Sequence, residues 1–225
     1  MIKHLLIAVD GPVGAGKSTI SDAVAKHFGI LHLDTGAMYR AFSYKALQNN
    51  ISLDSEEAIS ALCPDTTITV KYHQGQQQTL LDGEDVSAFI RTQTVSQAAS
   101  AVSRYSTVRQ KMVALQRAIA MDTPMLLDGR DIGTVVLKNA TAKIYLTASS
   151  EARAKRREKQ LLEKGEVHSY QTILQEVIAR DLQDENRAID PLRKAEDAVV
   201  VDSSDLNFAQ TVQAIIDIVE GKINA

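Results

Sequence analysis

The amino-acid sequence predicts an α/β fold built on a parallel sheet. Short, continuous apolar runs recur along the chain, as in strands that are buried on both faces, and stretches of helical periodicity separate them. A Gly-rich segment follows the first apolar run and precedes the first helical stretch. Buried strands that alternate with helices are typical of a parallel sheet.

The predicted elements follow from local patterns. Leu5–Val9 is an apolar run and predicts the first strand. Ser18–Phe28 predicts the first helix, because Ile20 and Val24 recur at helical spacing, and Gly29 stands where that helix would end. Further buried strands are predicted at Met125–Leu127, Lys143–Leu146 and Ala198–Val201.

Two segments depart from this alternation. Thr66–His73 is rich in β-branched residues and is followed, after Gly75, by Gln78–Leu81, which predicts a small antiparallel hairpin within an insertion. Glu151–Lys164 contains six basic and three acidic side chains in a chain that is otherwise acidic. We expect this segment to form a short helix with a function that requires positive charge.

Composition excludes several classes of protein. The chain has 225 residues, a net charge of −3, 44% hydrophobic residues and 24% charged residues, so intrinsic disorder and general nucleic-acid binding are disfavoured. Cys63 is the only cysteine, which excludes an intramolecular disulfide. The apolar runs are too short for a membrane span or a signal peptide. We expect a cytoplasmic monomer that binds small molecules and neither nucleic acid nor membrane.

A phosphate-binding motif directly follows the first predicted strand. Its residues, together called the phosphate loop, are Gly11, Pro12, Val13, Gly14, Ala15, Gly16, Lys17, Ser18 and Thr19. The first eight match G-x-x-x-x-G-K-[ST], in which glycines let backbone N–H groups approach phosphate oxygens. Lys17 would add a charge near the β- and γ-phosphates, and the Ser18 hydroxyl would bind Mg²⁺. The motif predicts ATP or another nucleoside triphosphate as a ligand.

Three clusters of arginines and aspartates indicate an anionic phosphoryl acceptor. They are Leu33–Arg40, Leu127–Asp131 at the end of a predicted strand, and the set Arg180, Asp184 and Arg187 at the spacing of one helix face. Each cluster alone is also compatible with surface ion pairs. Arginine binds phosphate bidentately, and five arginines lie in such local motifs: Arg40, Arg109, Arg130, Arg180 and Arg187. The face formed by Arg153, Arg156 and Arg157 is interpreted as a movable lid over the transferring phosphoryl group.

Four segments together resemble the bacterial cytidylate kinases, a family with the nucleoside monophosphate kinase fold. They are Gly11–Thr19, Leu33–Arg40, Asp128–Val135 and Arg180–Arg187. The resemblance implies a P-loop kinase core with a five-stranded parallel sheet flanked by helices, a small insertion that binds the monophosphate and contains the β-hairpin, and a short helical lid. It implies one domain, with the core at residues 1–35, 95–150 and 190–225, the insertion at about 36–94 and the lid at about 151–170.

The same resemblance implies roles for individual residues. The acceptor site would be lined by Thr35, Tyr39, Arg40 and Arg109, with both arginines on the phosphate. The cytosine base would be recognised by Ser100, Arg130 and Asp184. The sugar and phosphate would be bound by Asp131 and Arg187. Arg180 would bridge the donor and acceptor phosphates together with Arg156 and Arg157, and Asp128 would support Mg²⁺. The residues expected to act in catalysis are Lys17, Arg130, Arg156, Arg157 and Arg180.

The resulting prediction is an Mg²⁺-dependent ATP:(d)CMP phosphotransferase that uses no covalent intermediate. Three alternatives remain at this point. The first is another P-loop kinase that acts on UMP, another monophosphate or shikimate. The second is a non-catalytic, ATP-dependent binding switch. The third is an RNA-binding protein that uses the basic segment at residues 151–164, which its three acidic residues disfavour.

Overall fold

The computed structural model describes residues 5–163 and 165–224. In chain order the helices and strands are β1 (Leu6–Asp10), α1 (Lys17–Phe28), β2 (Leu31–Asp34), α2 (Thr35–Gln48), α3 (Glu56–Leu62), β3 (Ile68–His73), β4 (Gln76–Leu81), β5 (Glu84–Asp85), α4 (Gln93–Val102), α5 (Ser106–Ala120), β6 (Met125–Gly129), β7 (Ala142–Thr147), α6 (Ser150–Glu163), α7 (Tyr170–Asn186), β8 (Val199–Asp202) and α8 (Phe208–Ile223). A π-helical turn, Ile132–Val136, follows β6. None of the described helices has the length and apolar character needed to cross a membrane.

The main sheet has five strands in the order β2-β6-β1-β7-β8. In the parallel pairing of β1 with β6, Val9 is opposite Asp128 and Asp10 is opposite Gly129. On the other side of β1, Asp10 is opposite Tyr145 of β7. The predicted five-stranded parallel sheet flanked by helices is confirmed. Its register brings the polar ends of β1 and β6 to one edge, where open α/β sheets bind ligands.

The chain divides into two compact units, and the first comprises the N-terminal segment up to Ile30 together with the chain from Pro124 onward. Its core lies between the sheet and helices α1 and α8. Fully buried side chains of this core include Ile7, Val24, Leu126, Leu146 and Ile215. Gly29 ends α1 with a φ of 63°, as the sequence predicts.

The second unit is Leu31–Thr123. Here α2 packs against α4, and a separate antiparallel sheet has the order β3-β4-β5. The predicted hairpin is confirmed as β3 and β4. Gln74 and Gly75 form the two-residue turn between the paired residues His73 and Gln76. Both turn residues have a positive φ, as this kind of hairpin turn requires. The short strand β5 completes this sheet and was not predicted.

Candidate active site

Three glycines determine the course of the phosphate loop. Gly14 and Gly16 have φ angles of 75° and 86°, which other residues adopt only with strain. A Cβ atom at Gly11 would lie 1.9 Å from the carbonyl oxygen of Leu146 in β7, so a side chain there would push the loop away from the sheet. Gly16 precedes α1, and no side chain among the described residues caps that helix. The first amides of α1 therefore remain available to an anion.

Lys17 folds back over this loop. Its Nζ donates to the carbonyl oxygens of Gly11 and Pro12, each at 2.8 Å, and its side chain is buried. Burial, together with the positive charge of Arg130, lowers the pKa of Lys17 to about 7, and the carboxylate of Asp128 opposes this shift. An anion that binds beside Lys17 would raise its pKa again, because a nearby negative charge favours the protonated form.

Asp10 is a site residue that the sequence analysis missed. Its two carboxylate oxygens accept hydrogen bonds from the backbone N–H groups of Ile132 and Gly133, each at 2.7 Å. Burial raises the pKa of Asp10 to about 6 against the effect of these bonds, and repulsion from Asp131 adds to the increase. Asp10 thereby fixes the start of the π-helical turn. An acidic residue at the end of a buried strand, directly before the phosphate loop, is the sequence signal that identifies it.

An ion pair joins the half-buried Arg130 to the buried Asp184. The Nε of Arg130 donates to Oδ2 of Asp184 at 2.7 Å, and its Nη1 donates to the carbonyl oxygen of Gly129 at 3.3 Å. Burial alone would raise the pKa of Asp184, but the charges of Arg130, Arg180 and Arg187 outweigh it and hold this pKa below its ordinary value. The pKa of Arg130 lies above its ordinary value, because the charge of Asp184 outweighs the effect of burial. Both groups are therefore ionised at neutral pH.

The prediction that Arg180, Asp184 and Arg187 share one helix face is wrong for Arg187. Helix α7 ends at Asn186, and Arg187 has extended backbone with a ψ of 141°. Its Nε donates to the carbonyl oxygen of Asp190 at 2.6 Å, and Asp190 itself has a left-handed φ of 47°. The Nη2 of Arg187 lies 3.5 Å from Oδ1 of Asp131. Arg187 therefore reaches Asp131 from a turn after the helix.

In the second unit, Asp34 organises the start of α2. Its Oδ1 caps the helix by accepting the N–H of Ala37 at 3.0 Å, and its Oδ2 accepts Nη2 of Arg40 at 2.7 Å. Burial acts to raise the pKa of Asp34, but the charges of Arg40 and His32 lower it below its ordinary value. The Nε of Arg40 is buried and has no hydrogen-bond partner within the described part of the chain. Thr35, also buried, is the first residue of α2.

The β3–β4 hairpin contributes to this arrangement. The side-chain Oε1 of Gln77 accepts the N–H of Asp34 at 2.7 Å, and its Nε2 donates to the carbonyl oxygen of Asp34 at 3.3 Å. The Tyr72 hydroxyl donates to the carbonyl oxygen of His32 at 3.0 Å. Both contacts fix the backbone directly before the helix that carries Arg40. Gln77 lies in a run of three glutamines, and the sequence analysis did not distinguish it.

Arg109 on α5 is the largest fully buried side chain of the described residues, with 2% of its surface exposed. Its guanidinium lies over the ring of Tyr39, 5.8 Å from the ring centre, and its Nη1 donates to the carbonyl oxygen of Ser103 at 3.4 Å. Ser100 is buried on α4. A guanidinium presents its N–H donors in a fixed fork that matches the geometry of phosphate, so this position suits an anionic ligand.

The helix predicted in the basic segment at residues 151–164 is confirmed as α6, and its predicted final residue, Lys164, lies outside the described residues. The interpretation of Arg153 as part of a lid face is wrong. Arg153 is buried, because its guanidinium is held by Asp181 of α7 and by two backbone carbonyl oxygens. Arg156 donates to the hydroxyl of Ser203 at 3.1 Å and to its carbonyl oxygen. Arg157 is half-buried on the same helix.

The first unit offers oxygen ligands that suit a magnesium ion bound with a nucleotide. Ser18 lies in the first turn of α1, and Asp128 is a buried carboxylate at the end of β6. No group of three or more His, Cys, Asp or Glu side chains among the described residues could hold a metal ion. These residues fit Mg²⁺, since Mg²⁺ binds one or two protein oxygens and takes its remaining ligands from water and phosphate.

A parallel sheet whose first strand leads into a glycine-rich phosphate loop, with buried carboxylates and the half-buried Arg130 at the strand ends, defines a P-loop kinase. The chain belongs to the cytidylate kinase family, whose model matches residues 7–221. The prediction of a nucleoside monophosphate kinase is thereby confirmed.

Individual relatives agree with this assignment. The cytidylate kinase of Caldicellulosiruptor saccharolyticus is 48% identical over 217 residues, which cover 96% of each chain. The cytidylate kinase of a Geobacillus species is 44% identical over 223 residues, which cover 99% of this chain and 100% of the relative. A solved structure of an uncharacterized protein from Eubacterium ventriosum has a TM-score of 0.51 at 13% identity and covers 97% of this chain and 99% of its own. That last similarity concerns the fold alone.

Proposed function

We propose that this protein transfers the γ-phosphoryl group of ATP directly to the 5′-phosphate of CMP or dCMP, which yields ADP and the corresponding diphosphate. The observation that carries the proposal is the Arg130–Asp184 ion pair, whose charges both act on Lys17 of the phosphate loop. The donor-binding lysine and a polar group able to recognise a base thus belong to one electrostatic cluster. Membership of the cytidylate kinase family supports cytosine as that base.

On the donor side, backbone N–H groups of the phosphate loop, to which Pro12 contributes none, bind the phosphates of ATP. Lys17 leaves the carbonyl oxygens of Gly11 and Pro12 and regains its full charge beside the β- and γ-phosphates. Ser18 and Asp128 would hold Mg²⁺. When bound, the ion would supply charge neutralisation on the phosphates of the nucleotide.

On the acceptor side, Arg40 and Arg109 bind the phosphate of CMP. The buried Nε of Arg40 supports this role, because such a donor gains when it receives an anionic partner. Thr35 and Tyr39 contribute to the same subsite, and Tyr39 keeps the guanidinium of Arg109 in place.

The cytosine base is recognised by Ser100, Arg130 and Asp184, and the sugar and phosphate are bound by Asp131 and Arg187. Arg130 and Asp184 present a donor and an acceptor whose charges balance, which suits the donor and acceptor groups on the edge of cytosine. A base with the wrong pattern would leave buried polar groups unpaired, and this would penalise it strongly.

Phosphoryl transfer depends on positioning and charge more than on covalent chemistry. Arg180 bridges the donor and acceptor phosphates in the transition state, together with Arg156 and Arg157 from α6. To act in this way, Arg156 must exchange its bonds to Ser203 for bonds to phosphate. The attacking atom is an oxygen of the CMP phosphate, and ADP leaves with the electrons of the broken P–O bond.

We further propose a single catalytic domain that acts as a cytoplasmic monomer. Its core comprises residues 1–35, 95–150 and 190–225, the monophosphate-binding insertion lies at about 36–94 and the lid at about 151–170. Five buried or half-buried arginines on the acceptor side favour a phosphorylated acceptor over shikimate. Membership of a kinase family favours catalysis over a binding switch.

The proposal is tested by measuring ADP release with CMP, dCMP, UMP, AMP, GMP, shikimate and no acceptor. CMP and dCMP should give kcat/KM values about a hundredfold or more above those for AMP and GMP, because buried hydrogen-bond groups discriminate between bases. AMP or shikimate as the best acceptor would contradict the proposal. ATP turnover that no acceptor stimulates would exclude a kinase altogether.

A further inference from the structure

Arg153 connects three elements of the first unit through a single guanidinium. Its Nε donates to the carbonyl oxygen of Ala148 at 2.8 Å, and its Nη1 donates to the carbonyl oxygen of Val13 at 2.9 Å. Nη1 and Nη2 also bind the two carboxylate oxygens of Asp181 at 3.0 and 2.6 Å. Four of the five N–H groups of this arginine are thus engaged, and its side chain is 6% exposed.

The contact with Val13 determines the orientation of a peptide group within the phosphate loop. The carbonyl of Val13 and the N–H of Gly14 belong to one peptide unit, and no described peptide bond is cis. In a trans peptide the carbonyl and the N–H point in opposite directions. Because the Val13 carbonyl is held by Arg153, the N–H of Gly14 must point away from Arg153. Amides directed in this way bind phosphate in glycine-rich loops.

The same arginine is held by the helix that carries residues of the proposed acceptor site. Asp181 lies on α7 between Arg180 and Asp184 and uses both carboxylate oxygens on Arg153. A bidentate arginine–carboxylate pair fixes orientation as well as distance. The pair therefore transmits the position of α7 to the phosphate loop.

We propose that Arg153 is a positioning residue for the ATP site, which aims the Gly14 N–H at a donor phosphate, and that Asp181 is its fixed counter-ion. Arg153 does not itself contact substrate in this role. The inference rests on the proposed function, since it assumes that the phosphate loop binds ATP. It assigns to Arg153 a task different from that of Arg156 and Arg157.

The test compares binding of AMP-PNP with Mg²⁺ and binding of CMP by calorimetry in the parent and in variants. Arg153→Met should weaken AMP-PNP binding about tenfold, the equivalent of one good hydrogen bond, and leave CMP affinity within about twofold. Arg153→Lys should restore part of the loss, because lysine can donate to Val13 without forming the bidentate pair. Lys155→Met, an exposed position on the same helix, controls for the loss of one positive charge and should bind AMP-PNP like the parent.

A second variant separates positioning from stability. Arg153→Met leaves Asp181 with an unbalanced charge, whereas Arg153→Met combined with Asp181→Leu removes both charges and should fold stably. We expect the double variant to bind AMP-PNP as weakly as Arg153→Met does. In an NMR titration with AMP-PNP, the chemical-shift change of the Gly14 amide that the parent shows should be lost in the double variant. If the double variant binds AMP-PNP as tightly as the parent, the positioning role of Arg153 is wrong, while the proposed function stands. Failure of the parent to bind AMP-PNP would overturn the proposed function, and this role with it.

Discussion

Replacement of Lys17 by Met should separate activity from stability. The side chain of Lys17 is buried, and its pKa falls from 10.5 to about 7. At 1.36 kcal/mol for each unit, such a burial costs the folded protein about 5 kcal/mol at neutral pH. Methionine avoids this cost but loses the two hydrogen bonds to Gly11 and Pro12, which contribute about 1 kcal/mol each. The Lys17→Met variant should therefore be more stable than the parent by about 3 kcal/mol.

The same variant should lose most of its activity. Lys17 supplies a charge where the transferring phosphoryl group becomes more negative, and removal of one such group lowers kcat by about 10²- to 10³-fold. Urea unfolding at pH 7 gives the free energy of unfolding, and a coupled assay with CMP gives kcat and KM. Lys26→Met is the matched control, since Lys26 is an exposed lysine on the same helix. It should change stability by about 0.5 kcal/mol or less and keep the parent activity.

Two results would refute this reasoning. If Lys17→Met keeps kcat/KM within about tenfold of the parent, Lys17 does not stabilise the transition state. If the variant has a lower free energy of unfolding than the parent at pH 7, the burial of Lys17 does not destabilise the folded protein as its lowered pKa indicates. The pH dependence of unfolding gives an independent test of the sign of the contribution of Lys17 to stability. Because the pKa of Lys17 is lower in the folded state, its contribution to stability should rise as pH increases from about 7 to 10.5.

Three further predictions concern neighbouring residues. Asp184→Asn removes the negative charge paired with Arg130 and should lower kcat/KM for CMP about a hundredfold, with KM for ATP within about threefold, in steady-state kinetics with each substrate varied. Binding of MgATP at pH 8 should take up protons, because Lys17 is mostly neutral above its pKa of about 7 and becomes protonated when phosphate binds beside it. Calorimetry in buffers of different ionisation enthalpy should show this proton uptake at pH 8. The uptake should be absent at pH 6, and it should also be absent in the Lys17→Met variant. Gly11→Ala places a Cβ 1.9 Å from the carbonyl oxygen of Leu146 and should lower the free energy of unfolding in urea by about 2 kcal/mol, and an unchanged value would show that the loop can move off the sheet.

Features encoded by neighbouring residues could be predicted from the sequence. The run from β1 through the phosphate loop to α1 is local, since its strand, glycines and helix periodicity lie within about thirty residues. The β3–β4 hairpin could be predicted for the same reason, from β-branched residues on one side of Gly75. The resemblance to cytidylate kinases rested on four separate motifs and led to the family that the match over residues 7–221 confirms.

Features that depend on distant partners could not be predicted. Asp10 accepts hydrogen bonds from residues more than 120 positions away in the chain, so its role is visible only once the strands are placed. Arg153 looked like a lid residue because its partner Asp181 lies on another helix. Arg187 kept helical spacing with Arg180, but α7 ends one residue earlier, and periodicity alone does not locate a helix end.

The fate of the γ-phosphoryl group tests the central claim most directly. The protein is incubated with [γ-³²P]ATP, Mg²⁺ and CMP, and the nucleotides and inorganic phosphate are separated and counted. Direct transfer predicts that the label appears in CDP, in amounts equal to the ADP formed, with little label in inorganic phosphate. Without CMP almost all of the label should remain in ATP, because the acceptor oxygen is absent. Label that appears in inorganic phosphate at the same rate with and without CMP would contradict the account.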